Sequence, residues 1–233
     1  MPMRNKINYI KEWQAKITEI VTKKFNNYYL TGGTALSFYL NHRFSEDLDF
    51  FTQEYRNEDP DSVMGFINKE TGFEFKLEAE QNSPELIPMK VYFLELKKNC
   101  ILKIDFIQDF EKNIGKIKKG MHSINDIYYR KIMAAIEGTK KQDVVGRVIH
   151  AGRQSVKDLF DIYYLSKFHC ALSTFLFEYF SYDKVEPLIG WYKGFRRTDL
   201  KIELLDLVPK IDTAQVTKYL DIEILEKLPD KLI

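Results

Sequence analysis

Asp47 and Asp49 stand one residue apart in the run Ser45-Glu46-Asp47-Leu48-Asp49-Phe50. In an extended segment residues i and i+2 share a face, so the two carboxylates point the same way. Upstream, Gly32 and Gly33 join a short apolar stretch, Tyr28-Tyr29-Leu30, to a helical pattern over 34–41. A glycine pair lets backbone N–H groups approach a phosphate closely, and a helix N-terminus favours an anion there. Paired carboxylates beside a phosphate cradle suit magnesium, an oxygen-seeking cation, and a transferring phosphoryl group. Each signal alone is weak, since Gly-Gly also makes packing turns and Ser-Glu-Asp polar ones. Their order strengthens them: a short helix between the two folds the chain back and sets the carboxylates beside the glycines.

Three later positions extend the pattern. Asp105 interrupts the apolar run Ile101-Leu102-Lys103-Ile104-Asp105-Phe106-Ile107 and shares a face with Lys103. An aspartate in so apolar a strand is costly to bury unless it is paired or metal-bound; the alternative is a solvent-facing alternation. If that strand neighbours residues 47–51, the three carboxylates converge. Lys131 shares a helical stripe with Ile127 and Ala134 and has no acid at i±3 or i±4, so it either snorkels or reaches for an anion elsewhere. Asp158 is the third residue after Ser155, where spacing alone favours a helix cap. Asp161, with Lys157 four residues earlier, reads as a surface pair.

The elements that must position these residues are legible from periodicity. Apolar residues at Ile7, Ile10, Trp13, Ile17 and Val21 predict an opening amphipathic helix. Strands are expected over 28–30, 47–51, 73–80, 89–96 and 101–107, the last two as a hairpin about Lys98-Asn99. A helix is expected from Asp59-Pro60-Asp61 to about residue 71. After about residue 122 helical patterns dominate: 123–137, 155–167, 171–181, 184–193 and 211–228. Residues 138–154 read as a basic loop or broken helix. This predicts an α+β chain with a mixed αβ core over 1–122 and a helical part over 123–233 that completes the site.

Composition sets the frame. Hydrophobic residues at 45% and charged residues at 30% describe an ordinary globule. Cys100 and Cys170 have no motif spacing, which fits a reducing cytosol, and the four histidines show no metal-ligand spacing. No run of about 18 apolar residues occurs, so a membrane-spanning helix is excluded, and no apolar leader region opens the chain, which points to the cytoplasm. Net charge is +1, but residues 111–157 carry eleven Lys/Arg against four Asp/Glu, a local +7 that leaves the rest at −6. That segment favours a polyanionic partner.

Gly32-Gly33-Thr34-Ala35-Leu36 with Arg43-Phe44-Ser45-Glu46-Asp47-Leu48-Asp49-Phe50 closely resembles the first motif of the AbiEii/AbiGii toxin family. Ile104-Asp105-Phe106, Asp126-Ile127-Tyr128-Tyr129-Arg130-Lys131 and Lys157-Asp158-Leu159-Phe160-Asp161-Ile162 resemble its later motifs, in order. The resemblance implies a nucleotidyltransferase-like mixed β-sheet with flanking helices, followed by a C-terminal helical region. It implies a metal-dependent nucleotidyltransferase acting as the toxin of a type IV toxin–antitoxin or phage-defence system. The expected substrates are a nucleoside triphosphate and an RNA acceptor such as tRNA, and the expected partner is an antitoxin encoded nearby. By residue, the family implies nucleotide binding at Gly32, Gly33, Thr34, Ser45 and Lys131. It implies Mg2+, in a two-metal arrangement, at Asp47, Asp49 and Asp105, with Lys131 and Asp158 also in the catalytic set. Thr34 stands where related polymerases place serine. Two other readings compete: a small-molecule nucleotidyltransferase, against which the basic segment argues, and a catalytically inactive nucleotide- or RNA-binding module, against which the retained Asp47, Asp49, Asp105 and Lys131 argue.

Overall fold

The alternation along residues 48–52 sets the two faces of the sheet. In a computed structural model of the chain, which describes residues 3–137, 140–142, 148–150, 152–207 and 209–230, Leu48, Phe50 and Thr52 are buried while Asp49 and Phe51 are half-buried. The chain opens with α1 (Met3–Lys24), whose stripe Ile10, Gln14, Ile17 and Val21 is buried at amphipathic spacing. Then come β1 (Tyr29–Thr31), α2 (Gly32–Leu40), β2 (Leu48–Thr52), α3 (Asp59–Thr71), β3 (Phe75–Gln81), β4 (Met89–Lys97) and β5 (Cys100–Gln108). Pro60 sits in the first turn of α3, where its missing N–H sacrifices no helical bond, and Asp59 and Asp61 there suit the helix dipole.

The sheet order is β1-β2-β5-β4-β3. Only the β2–β5 contact is parallel; the others are antiparallel. β4 and β5 form the expected hairpin, turned by Asn99 at positive φ. The second strand begins at Leu48 rather than at Asp47. The cause is local: the Asp47 carbonyl accepts the Thr34 hydroxyl instead of a neighbouring strand. On the inner face Phe106 meets Tyr28 at 5.3 Å, Phe50 at 5.7 Å and Tyr92 at 5.9 Å between ring centres, close enough for favourable aromatic contact.

The remaining elements are α4 (Ile124–Ile136), β6 (Lys140–Gln142), β7 (Val148–His150), α5 (Val156–Phe168), α6 (Leu172–Tyr179), α7 (Val185–Lys193), α8 (Arg197–Leu205), α9 (Thr213–Leu220) and α10 (Lys227–Asp230). Two compact units result, Met1–Ile127 and Tyr128–Ile233, the division falling inside α4. The β6–β7 antiparallel pair lies where a basic loop or broken helix is expected; Val148 and Ile149 supply β-branched residues. Residues 138–139, 143–147 and 151, Gly138 and Gly146 included, lie outside the described residues, and 152–154 form no regular element. α8 falls where the sequence pattern predicts no element. The single helix expected over 211–228 is broken by a π-helical stretch, Asp221–Glu226, which seats Glu223 inside to accept the Ser173 N–H at 3.3 Å. No described helix is long and apolar enough to cross a membrane.

Candidate active site

In the first unit the site is built on one rung of the sheet. Thr31 of β1 stands opposite Asp49 of β2, and Asp49 stands beside Asp105 of β5. Directly paired residues project to the same side, so the register sets Asp49 and Asp105 side by side. The first strand ends at Thr31 and the chain turns at once into α2, with Gly32 at φ 70°. That left-handed conformation suits glycine, and a Cβ there would overlap Asp49 Oδ2. The Asp49 carboxylate therefore lies directly on the elbow. At Gly33 a Cβ would stand 2.6 Å from Arg43 Nη2 and 2.8 Å from Ser45 Oγ. The second glycine thus admits a guanidinium and a hydroxyl to the start of α2.

The loop carrying the acids is held by its backbone. Ser37 Oγ donates to the Arg43 carbonyl at 2.9 Å, and Gln14 Nε2 donates to the Ser45 carbonyl at 3.0 Å. Thr34 is buried and its hydroxyl donates to the Asp47 carbonyl. In this structure Thr34 therefore positions the acidic loop rather than presenting its proton outward. On the other side of the elbow, His122 Nδ1 lies 2.9 Å from Thr31 Oγ1 and Nε2 lies 3.0 Å from Asn113 Oδ1. Its ring meets Tyr29 at 4.3 Å, and Tyr29 donates to Asp109 at 2.5 Å. Sequence spacing offers no signal for this network, because its members are scattered from 29 to 122.

Asp105 is 5% exposed. Its Oδ2 takes the Lys103 ammonium at 2.5 Å, while Oδ1 is buried with no hydrogen-bond partner. Burial pushes its pKa up, and the Asp47 charge adds to that; the Lys103 bond and charge pull the other way without cancelling it. For Lys103, burial is the largest influence and lowers the pKa. The bond to Asp105 and the charges of Asp105, Asp47 and Asp49 more than reverse it, so the pKa ends raised. One ammonium thus feels all three carboxylates. The donor atoms are all carboxylate oxygens, and the orphaned Oδ1 of Asp105 is the kind of atom a hard cation satisfies. Among the described residues, however, no three His, Cys, Asp or Glu side chains already converge on one point. Lys103 holds part of that space.

The second unit has its own charged centre. Lys131 of α4 is 7% exposed, and its Nζ lies 2.6 Å from Asp158 Oδ1 and 2.8 Å from Asp161 Oδ2, both on α5. The anion this lysine lacks on its own helix is supplied by the next one. Asp161 is fully buried, which corrects its reading as a surface partner of Lys157: helical spacing fixes a residue's stripe, not whether a neighbouring helix covers it. Ser155 caps α5 by accepting the Asp158 N–H at 3.4 Å. The Asp158 side chain is not the cap; it binds Lys131 and, through Oδ2, Arg153 at 2.6 Å. Arg153 is the member sequence reasoning missed. It is fixed by its own backbone, N–H to the Ala134 carbonyl at 2.8 Å and carbonyl to Trp191 Nε1 at 2.9 Å, with a mostly exposed guanidinium.

The chain is similar to known proteins in sequence and in fold. The chain is 27% identical over 215 residues to the uncharacterized protein aq_aa25 of Aquifex aeolicus (strain VF5), covering 91% of this chain and 88% of that one. Its fold matches the crystal structure of JHP933 from Helicobacter pylori with a TM-score of 0.60 at 19% identity, over 98% of this chain and 95% of the other. It also matches MenT4, the nucleotidyltransferase toxin Rv2826c of Mycobacterium tuberculosis H37Rv, with a TM-score of 0.53 at 13% identity, over 97% and 84% of the two chains. A family model described as nucleotidyl transferase AbiEii toxin of type IV toxin–antitoxin systems matches residues 20–226. The chain belongs to the AbiEii family of nucleotidyltransferase toxins.

Proposed function

We propose that this nucleotidyltransferase binds Mg2+ and a nucleoside triphosphate at the glycine elbow and transfers the nucleotide to an RNA hydroxyl, tRNA being the favoured acceptor. The observation that carries the reading is the Thr31–Asp49–Asp105 rung laid against the elbow, with Asp49 filling the space a side chain at Gly32 would need. Backbone N–H groups at Gly32 and Gly33, with Arg43 and Ser45 beside them, supply donors for phosphate oxygens. Asp47 and Asp49 hold the metal, with Asp105 assisting. When bound, Mg2+ would offset charge on the triphosphate and its leaving group. The acceptor oxygen bonds to the α-phosphorus, the bond from that phosphorus to the departing pyrophosphate breaks, and the hydroxyl proton passes to solvent. Lys131, held by Asp158 and Asp161, neutralises phosphate charge. Thr34 acts through the Asp47 backbone. The local +7 of residues 111–157 supports an RNA acceptor over a cationic small molecule.

Toxicity restrained by a cognate antitoxin, a role in phage defence and a cytoplasmic location complete the proposal. The test is incubation of the full chain with each α-32P-labelled triphosphate, Mg2+ and total RNA, read by gel and mass analysis. Label on RNA that disappears with EDTA and with Asp47→Ala is expected. Label on small molecules alone would overturn the RNA acceptor, and undiminished labelling in EDTA would overturn the metal.

A further inference from the structure

Lys103 is the group at this site that the transfer reaction leaves unexplained. It lies two residues before Asp105 on β5, so the two side chains share a face. Its ammonium touches Asp105 Oδ2 at 2.5 Å and lies in the field of Asp47 and Asp49. The chain has placed its own cation against the Asp105 carboxylate. A purely structural ion pair does not account for the geometry, because Asp105 Oδ1 stays buried and unpartnered, and an uncompensated buried oxygen is a cost. Nor does a ready-made metal site account for it, since no three acidic, His or Cys side chains converge among the described residues. The side chain of Lys103 is 36% exposed, and its flexible four-carbon stem leaves it free to swing to another anion.

We propose that Lys103 is an internal counter-ion that competes with divalent metal for Asp105, so that the nucleotide-free protein takes metal weakly and the arriving triphosphate draws the ammonium away. The proposal rests on the metal reading above. An ammonium and a divalent cation repel each other strongly at contact distances in a partly buried site. A triphosphate brings several negative charges, offering Lys103 a new partner as it opens Asp105. The acids then bind metal together with substrate rather than holding it idle.

Mn2+ titration of the full chain, followed by electron paramagnetic resonance of the free ion, separates the possibilities. Without nucleotide, Lys103→Met is expected to bind Mn2+ about tenfold or more tighter than the natural protein, and Lys103→Arg, which keeps the charge, to bind like the natural protein. With α,β-methylene nucleoside triphosphates the gap between the natural protein and Lys103→Met is expected to shrink. Equal affinity of the natural protein and Lys103→Met without nucleotide would overturn the proposal while leaving the metal reading intact, as would Lys103→Arg behaving like Lys103→Met. If no form binds Mn2+ with or without nucleotide, the metal reading falls and this inference with it. Lys103→Gln carries the same comparison should circular dichroism show that Lys103→Met does not fold.

Discussion

Two lysine–aspartate pairs in the first unit have similar contact distances and differ in kind. Lys90 and Asp61 are joined at 2.6 Å, Tyr92 donates to the other Asp61 oxygen at 2.6 Å, and Glu80 lies 3.7 Å from the ammonium. Both Asp61 oxygens and the Lys90 ammonium have partners, and the cluster ties the first turn of α3 to β4. Lys103 and Asp105 also meet closely, but one carboxylate oxygen is left buried without a partner. Native proteins satisfy nearly all buried polar atoms, so an exception calls for an explanation, such as a bound ion or water. The satisfied pair is architecture. The half-satisfied pair belongs to the site.

The largest expected effect contrasts the two regions directly. Asp49→Ala should lower nucleotide transfer by at least about a thousandfold, with circular dichroism unchanged, because Asp49 is half-buried and fills no core space. Asp61→Ala should leave transfer within about threefold in the folded protein. Equal losses in two folded variants, measured with labelled triphosphate, would erase the distinction.

A second expectation concerns stability in the other unit. Lys131→Met leaves Asp158 and Asp161 deep in the protein without their shared ammonium. Breaking a buried pair in this way costs about 3–5 kcal/mol. Urea denaturation should show that loss, and a change under about 1 kcal/mol would mean the cluster is solvated. Activity lost in this variant must therefore be read beside its unfolding curve, unlike that of Asp49→Ala.

How much of this was legible in the chain follows from what each residue answers to. Gly32, Gly33, Asp47 and Asp49 answer to strand alternation and a tight connection, which are local, whereas the rung that Asp105 shares with Asp49 depends on the non-local pairing of β2 with β5 and was legible only as a condition. Asp47 missed the strand by one residue because a buried threonine side chain took its carbonyl. His122 and Asp161 answer to Thr31 and Lys131, 91 and 30 residues away, and Arg153 to Asp158 on the helix that follows it. Their spacing on their own elements carries no trace of those partners. Helix α8 and the π-helical stretch likewise depend on tertiary packing, the latter on seating Glu223 beneath Ser173.

A third expectation sharpens the comparison through stability at neutral pH. Asp105→Asn removes a buried, half-satisfied charge and should unfold at no lower urea concentration than the natural protein. Asp61→Asn deprives Lys90, which is 5% exposed, of its nearest counter-ion and should lose about 1–2 kcal/mol. A larger loss in Asp105→Asn than in Asp61→Asn would reverse the assignment of architecture and site.

The smallest effect is the most specific, because the two carboxylates shift in opposite directions. At Asp61 burial is the largest influence and raises the pKa, but the Lys90 and Tyr92 hydrogen bonds and the Lys90 charge overcome it, so the folded value is lowered. Its stabilising contribution is present above the unfolded pKa and is lost as pH falls through the folded one. At Asp105 burial wins and the folded value is raised. Its contribution is therefore fully present below the unfolded pKa and lost as pH rises through the folded one. Thermal melts across the carboxylate range, from about pH 3 upward, should show Asp61→Asn losing ground to the natural protein as pH rises and Asp105→Asn gaining it. Slopes of the same sign would mean that the Lys103 bond satisfies Asp105 as fully as Lys90 and Tyr92 satisfy Asp61, and the unpartnered oxygen would then carry no functional meaning.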